Sequence, residues 1–109
     1  MRDIDPNDAI DYIIKNAEKF AKAKAERIYL EEFRKSKKAI LMKESFEETV
    51  GAQEREAYAH PDYRELLRGL REAIEIEEKL RWDLVAAQAR VDVWRSIEAS
   101  NRREARALG

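Results

Sequence analysis

Few residues in this chain are of a type and spacing that could do chemistry. Pro61-Asp62 followed by Glu77-Glu78-Lys79 has the outline of the Pro-Asp and Glu-x-Lys elements of a metal-dependent nuclease. That chemistry needs carboxylates brought together on adjacent strands to hold Mg²⁺. Here the five residues fall along one predicted helix, whose rise separates Asp62 from Glu77 by roughly 22 Å, so the match is read as a coincidence. Glu56 and His60 are four apart and can meet on one helical face, but two ligands without a third do not make a zinc site. The chain has no Cys and a single His, which excludes disulfides, thiolate sites and His clusters. No Gly-rich phosphate loop is present, and no Ser or His is arranged for nucleophilic catalysis. The sequence is therefore read as non-enzymatic, with no catalytic residue, no cofactor and no metal.

Binding is a different matter. Lys15, Lys19, Lys22, Tyr29, Phe33 and Lys37 project to one side of a helix. Cations interleaved with rings suit a nucleic-acid strand, because charge releases counterions from phosphates and flat rings stack on bases. Glu26 interrupts this face. Toward the other terminus Arg95, Arg102 and Arg106 share one helical side, with Arg103 adding charge and Trp94 close by. Arginines in the last turns also complement the negative end of the helix dipole, a purely structural role. Trp82 and Trp94 read as packing or interface anchors.

These residues need long helices to position them. Only three Gly and two Pro punctuate 109 residues, and the predicted fold class is all-α. Asp5-Pro6-Asn7-Asp8 reads as a helix start, with a side-chain acceptor at the cap and Pro where its missing N–H costs nothing. From there Ile10, Ile13, Ile14, Ala17, Phe20, Ala21 and Ile28 recur at mostly three- and four-residue steps, predicting the core face of a helix over about 6–45. Past Ile28 the pattern changes, so the helix either bends or packs its two halves against different partners. Ser45-Phe46-Glu47-Glu48 has capping-box spacing and Gly51 follows, which marks 46–60 as a connector, a short helix or a loop. His60-Pro61 then predicts a second long helix over 61–107, since the residue before Pro is biased out of the helical region. In it Leu66, Leu70, Ala73, Leu80, Leu84, Ala87, Val91 and Trp94 keep an alternating three–four spacing, with Glu77 the one polar member.

One such helix is too long for a compact domain, so the expectation is a single elongated domain, an antiparallel hairpin or bundle. Leu67, Ile74, Val85, Phe33 and Ile40 widen the apolar stripes beyond one seam, and a dimer that completes the bundle is expected to cover them. Leu66, Leu70, Leu80, Leu84, Val91 and Trp94 are the positions expected at the helix-packing or oligomer interface.

Charge sharpens this picture. With 41% charged residues, the chain far exceeds the usual quarter, yet its net charge is −1. Residues 15–43 carry ten basic and four acidic side chains, whereas 44–83 carry six basic and twelve acidic. Opposite segments of this kind select antiparallel pairing of the two helices, or leave a basic face on offer to a partner. The longest apolar runs, 39–42 and 84–87, are far below the roughly 20 residues that span a bilayer. The acidic start, Met1-Arg2-Asp3-Ile4-Asp5, is unlike a signal peptide. A soluble, intracellular protein is expected.

Three stretches carry a resemblance. Gly51-Ala-Gln-Glu-Arg-Glu-Ala-Tyr-Ala-His-Pro-Asp-Tyr63, Leu84-Val-Ala-Ala-Gln-Ala-Arg-Val-Asp-Val-Trp-Arg-Ser96 and Asn101-Arg102-Arg103 resemble small coiled-coil proteins of tailed bacteriophages and prophages. The similar region covers roughly 45–106. Such proteins tend to be encoded beside phage recombination and replication functions. The resemblance thus implies an accessory role in phage DNA metabolism inside the bacterial host, and it assigns no catalytic residue. It points to Trp94-Arg95 and Asn101-Arg102 as the first positions to change.

Overall fold

A computed structural model of the chain describes residues 4–109, so the first three residues of the acidic start lie outside the described residues. Three helices follow in order: α1 (Pro6–Glu44), α2 (Val50–Ala59) and α3 (Pro61–Leu108). No strand forms among the described residues, and none of their helices is long and apolar enough to cross a membrane.

The helix ends follow from local chemistry. Asp5 Oδ1 accepts a hydrogen bond from the Asn7 N–H at 2.9 Å, which satisfies one of the orphan donors in the first turn of α1, and Pro6 needs no partner there. α1 then runs unbroken to Glu44 through the change of pattern at Ile28. The cap of α2 is Thr49, whose Oγ1 accepts from the Ala52 N–H at 3.1 Å. The spacing of Ser45 suggested that residue instead. Its hydroxyl turns to Glu56, to which it donates at 2.6 Å, and accepts from the Glu47 N–H. His60 sits extended at φ −64° and ψ 137° ahead of Pro61, where a proline ring excludes the helical region from its predecessor.

Contacts divide the chain into two units. The first joins α1 up to Phe20 with α3 from Lys79 onward, and the second comprises Ala21–Glu78. In the first, Ala9, Ala87 and Val91 form the buried centre, with Tyr12 and Ile13 packed on it. Ala87 is wholly buried. Small residues on both helices let the two backbones approach, so little side-chain volume is needed to fill the seam. Phe20 meets Leu84 across a groove further along, while Ala9 meets Val91. The helices therefore run antiparallel. In the second unit Leu41, Ala57 and Tyr63 form the core, with Met42 packed against it and Tyr63 edge-on to Tyr58 at 5.3 Å. Leu41 pairs with the start of α3 and Arg27 with Glu77, so the antiparallel sense holds here too.

The seam of α3 matches the reading of its heptads. Leu70, Ala73, Ala87 and Val91 are buried, and Leu66, Leu80, Leu84 and Trp94 are half-buried. The core face read for α1 does not match. Ile13 and Phe20 are half-buried, but Ile10, Ile14, Ala17, Ala21 and Ile28 are exposed. The helix is rotated so that Ala9, Phe20, Arg27 and Leu41 turn toward α3 instead, with Ala23 and Leu30 half-buried on the same side.

Arg27 explains the one polar member of the α3 seam. Its Nε and Nη2 donate to the two carboxylate oxygens of Glu77 at 2.6 and 3.0 Å, and its Nη1 donates to Glu31 at 3.1 Å. The Glu77 side chain is only 9% exposed. Two parallel bonds from a planar guanidinium to one carboxylate are the strongest form of this pairing. They hold the Arg27 proton more tightly than usual, Glu77 contributing first and Glu31 next.

Candidate nucleic-acid interface

The structure splits the basic face read along α1. Lys15 and Lys19 are exposed in the first unit, and Lys22 and Tyr29 in the second. Tyr29 stacks on Phe33, with centroids 5.8 Å apart and planes 12° from parallel. Phe33 and Lys37 lie half-buried beside a groove of about 400 Å³ with Asp62, Glu65 and Leu66. Lys37 is drawn to Asp62 at 3.7 Å. That leaves Tyr29 exposed with one ring face turned to Phe33, and takes Lys37 out of the face.

At the other terminus Arg102, Arg103 and Arg106 converge, and Arg95 does not join them. Arg102, Arg103 and Arg106 line one shallow cleft of about 370 Å³ whose only other wall is Ala99. All three are exposed, and an Arg103 Nη donates to the Ser100 hydroxyl at 3.3 Å. Residues three and four apart on a helix share a face, which is why Ala99, Arg102, Arg103 and Arg106 gather. Arg95 is exposed about two turns before Arg102 on α3, and Trp94 is half-buried. The cleft holds three guanidinium groups and no carboxylate. It can grip an anion with several oxygen acceptors, such as a phosphodiester.

A second cationic cleft was not read from the sequence. In the second unit Arg34, Lys35, Lys38, Met42, Tyr58 and Tyr63 line a space of about 670 Å³. Lys38 donates to Glu54 at 2.8 Å and sits 4.7 Å above the Tyr58 ring. Tyr58 and Tyr63 flank His60-Pro61, and that turn was the one available sign that two rings converge here.

The outline of a nuclease is not assembled. Asp62, Glu77 and Lys79 lie along α3, Glu77 is engaged by Arg27, and Lys79 by Asp83 at 2.8 Å. Glu56 accepts from Ser45, while His60 Nδ1 accepts from the Asp62 N–H at 3.0 Å. Among the described residues no group of three or more His, Cys, Asp or Glu could hold a metal ion.

Ion pairs make the fold sensitive to acid. The Lys38 ammonium, by its hydrogen bond to Glu54, holds that carboxyl below the usual range, and Lys79 does the same for Asp83. A carboxylate whose pKa is depressed on folding adds stability above its unfolded value, near 4, and that stability is lost as pH falls through the folded value. The Tm is therefore expected to hold from pH 7 to about 5 and to fall below about pH 4. Thermal melts followed by circular dichroism check this. In the Lys38→Met variant the acid-side decline is expected to be shallower, and an unchanged decline would contradict the assignment.

The class these observations define is an all-α protein whose two long helices pack antiparallel within each unit. No protein-family model, curated protein or solved structure matches the chain.

Proposed function

We propose that this chain is a non-enzymatic, phage-type accessory protein in DNA recombination or replication, acting by contact with nucleic acid and working in the host cytoplasm as a self-associated helical bundle. The observation that carries the nucleic-acid reading is the cleft of Arg102, Arg103 and Arg106, which gathers three guanidinium groups with no carboxylate in its wall. Exposed Lys15, Lys19, Lys22 and Tyr29 support it. Near-neutral total charge is compatible with this role, because a local cluster sets the field that a phosphate meets. A gel shift with single- and double-stranded DNA tests the reading. Retarded bands at low salt that fade as salt rises are expected. Unchanged mobility of both DNAs at low salt would remove it.

A second reading, a module that scaffolds or inhibits a phage or host protein without touching DNA, draws on a different observation. Ile76 is 57% exposed between the exposed Glu72 and Glu75 side of α3 and the buried Glu77. An apolar side chain beside solvent-facing carboxylates suits a protein partner with a basic rim. Affinity capture from infected cells, with and without nuclease, separates the two. Partners lost on nuclease treatment belong to the DNA reading, and partners retained belong to the second.

A further inference from the structure

The groove lined by Phe33, Lys37, Asp62, Glu65, Leu66 and Gly69 marks one side of the second unit. About half a turn around each helix lies the other side, given the 100° step per residue. There α1 presents Lys24, Ile28 and Glu31, and α3 presents Arg71, Ile74 and Glu78, with Leu67 one turn earlier. Ile28 is 43% exposed, and Ile74 and Leu67 are 40% exposed. These are apolar side chains that the fold of one chain leaves in water, and Ile28 belongs to the strongest apolar periodicity of α1.

The charges around them are ordered. Along α1 the sequence is cation, isoleucine, anion, at steps of four and then three residues; read backward along α3, Glu78, Ile74 and Arg71 are anion, isoleucine, cation at the same steps. Two strings with opposite charges and equal steps match only when the helices run antiparallel. Both strings lie on one face of one chain, so a two-fold axis parallel to the helices satisfies both at once, as an isologous contact requires. Lys24 and Arg71 have no ion-pair partner among the described residues, whereas the anions Glu31, which accepts from Arg27 through Oε2, and Glu78 are engaged within the chain as well, so the contact adds to those interactions and does not depend on free carboxylates.

We infer that this face of the second unit docks a second copy of the chain, α1 against the partner's α3 in antiparallel register. Lys24 then lies opposite the partner's Glu78, Ile28 opposite the partner's Ile74, and Glu31 opposite the partner's Arg71. The isoleucines supply the burial and the charges select register and orientation, as flanking charges do in coiled coils. The inference rests on the self-association proposed above only for the presence of two copies.

Light scattering after gel filtration, with two charge reversals, tests it. The wild-type chain is expected at twice 12.8 kDa. Lys24→Glu sets two carboxylates against each other across the contact, and Glu78→Lys sets two ammonium groups, so each variant alone is expected to dissociate at about tenfold higher concentration or more. An equimolar mixture of the two variants restores both ion pairs in the heterodimer and no others, and is expected to return to within about threefold of the wild-type dissociation constant. Contacts inside one chain cannot be repaired by mixing, which makes this readout specific to the interface. Ile28→Glu, at a position outside both buried cores, is expected to be monomeric with helical circular dichroism retained. A wild-type monomer at 100 micromolar-scale concentration would overturn both this face and the self-association. A dimer indifferent to the reversals and to mixing would leave self-association standing and overturn this face.

Discussion

Replacing Glu77 by Ala is expected to lower the Tm by roughly 10 °C, the shift that loss of one member of a buried charge pair produces in a domain of this size. The Glu77 carboxylate sits in the seam with its side chain 9% exposed, and the Arg27 side chain opposite is 25% exposed. Removing the carboxylate leaves a partly buried guanidinium with only Glu31 to accept from it. The double change Arg27→Met with Glu77→Leu is expected to behave otherwise. It replaces the pair by apolar volume and should melt near the wild-type temperature or above it, because the desolvation cost of two charges disappears with their attraction. The contrast between single and double variants is the readout. If Glu77→Ala melts within 2 or so degrees of wild type, the guanidinium escapes to solvent at little cost and the pair is a surface feature. A retained melting temperature with a broadened transition in the double variant would assign the pair to helix register, the role that a polar layer plays in coiled coils.

The second large effect is expected at Leu41. It is buried at the centre of the second unit against Ala57 and Tyr63, with Met42 beside it. Leu41→Ala is expected to cost about 3 kcal/mol in urea denaturation, the sum of lost burial and a cavity that the surroundings fill only in part. Met42 is half-buried and unbranched, so it can lean into the space, which argues against the upper end of the usual range. Leu41 is also what ties the end of α1 to α2 and to Tyr63. A loss below about 1 kcal/mol would mean that this junction is not packed.

Much of the fold was legible because α3 follows a simple rule. Its seam residues are mostly large and apolar at strict heptad spacing, and the boundary at His60-Pro61 is enforced by the sterics of one ring. α1 was not legible in the same way. Its seam contains Ala9 and Arg27, which carry little hydrophobic signal, while Ile10, Ile14 and Ile28 dominate the periodicity and are exposed. A reading of one helix at a time finds the most apolar face. It does not find that Arg27 belongs inside because Glu77 waits on the other helix. Ser45 misled for a related reason, since its hydroxyl was free to choose Glu56 over the backbone.

The candidate sites divided along similar lines. Arg102, Arg103 and Arg106 converge because helix spacing alone places them together. Lys37 left the predicted basic face because Asp62, at the start of α3, approaches it. The cleft of Arg34, Lys38 and Tyr58 depends on where α2 folds back over α1, which no spacing rule along one helix contains.

The salt dependence of binding tests most directly the proposed contact of Arg102, Arg103 and Arg106 with nucleic acid. Fluorescence anisotropy with a labelled oligonucleotide would be recorded from about 50 to 200 mM salt for the wild-type chain and for the Arg102→Gln, Arg103→Gln, Arg106→Gln triple variant. Each phosphate contact contributes about one unit to the slope of log K against log salt. Binding by the wild type is expected, with a slope shallower by about two to three in the variant and helicity unchanged because all three side chains are exposed. No binding at the lowest salt, or the same slope in both proteins, would contradict it.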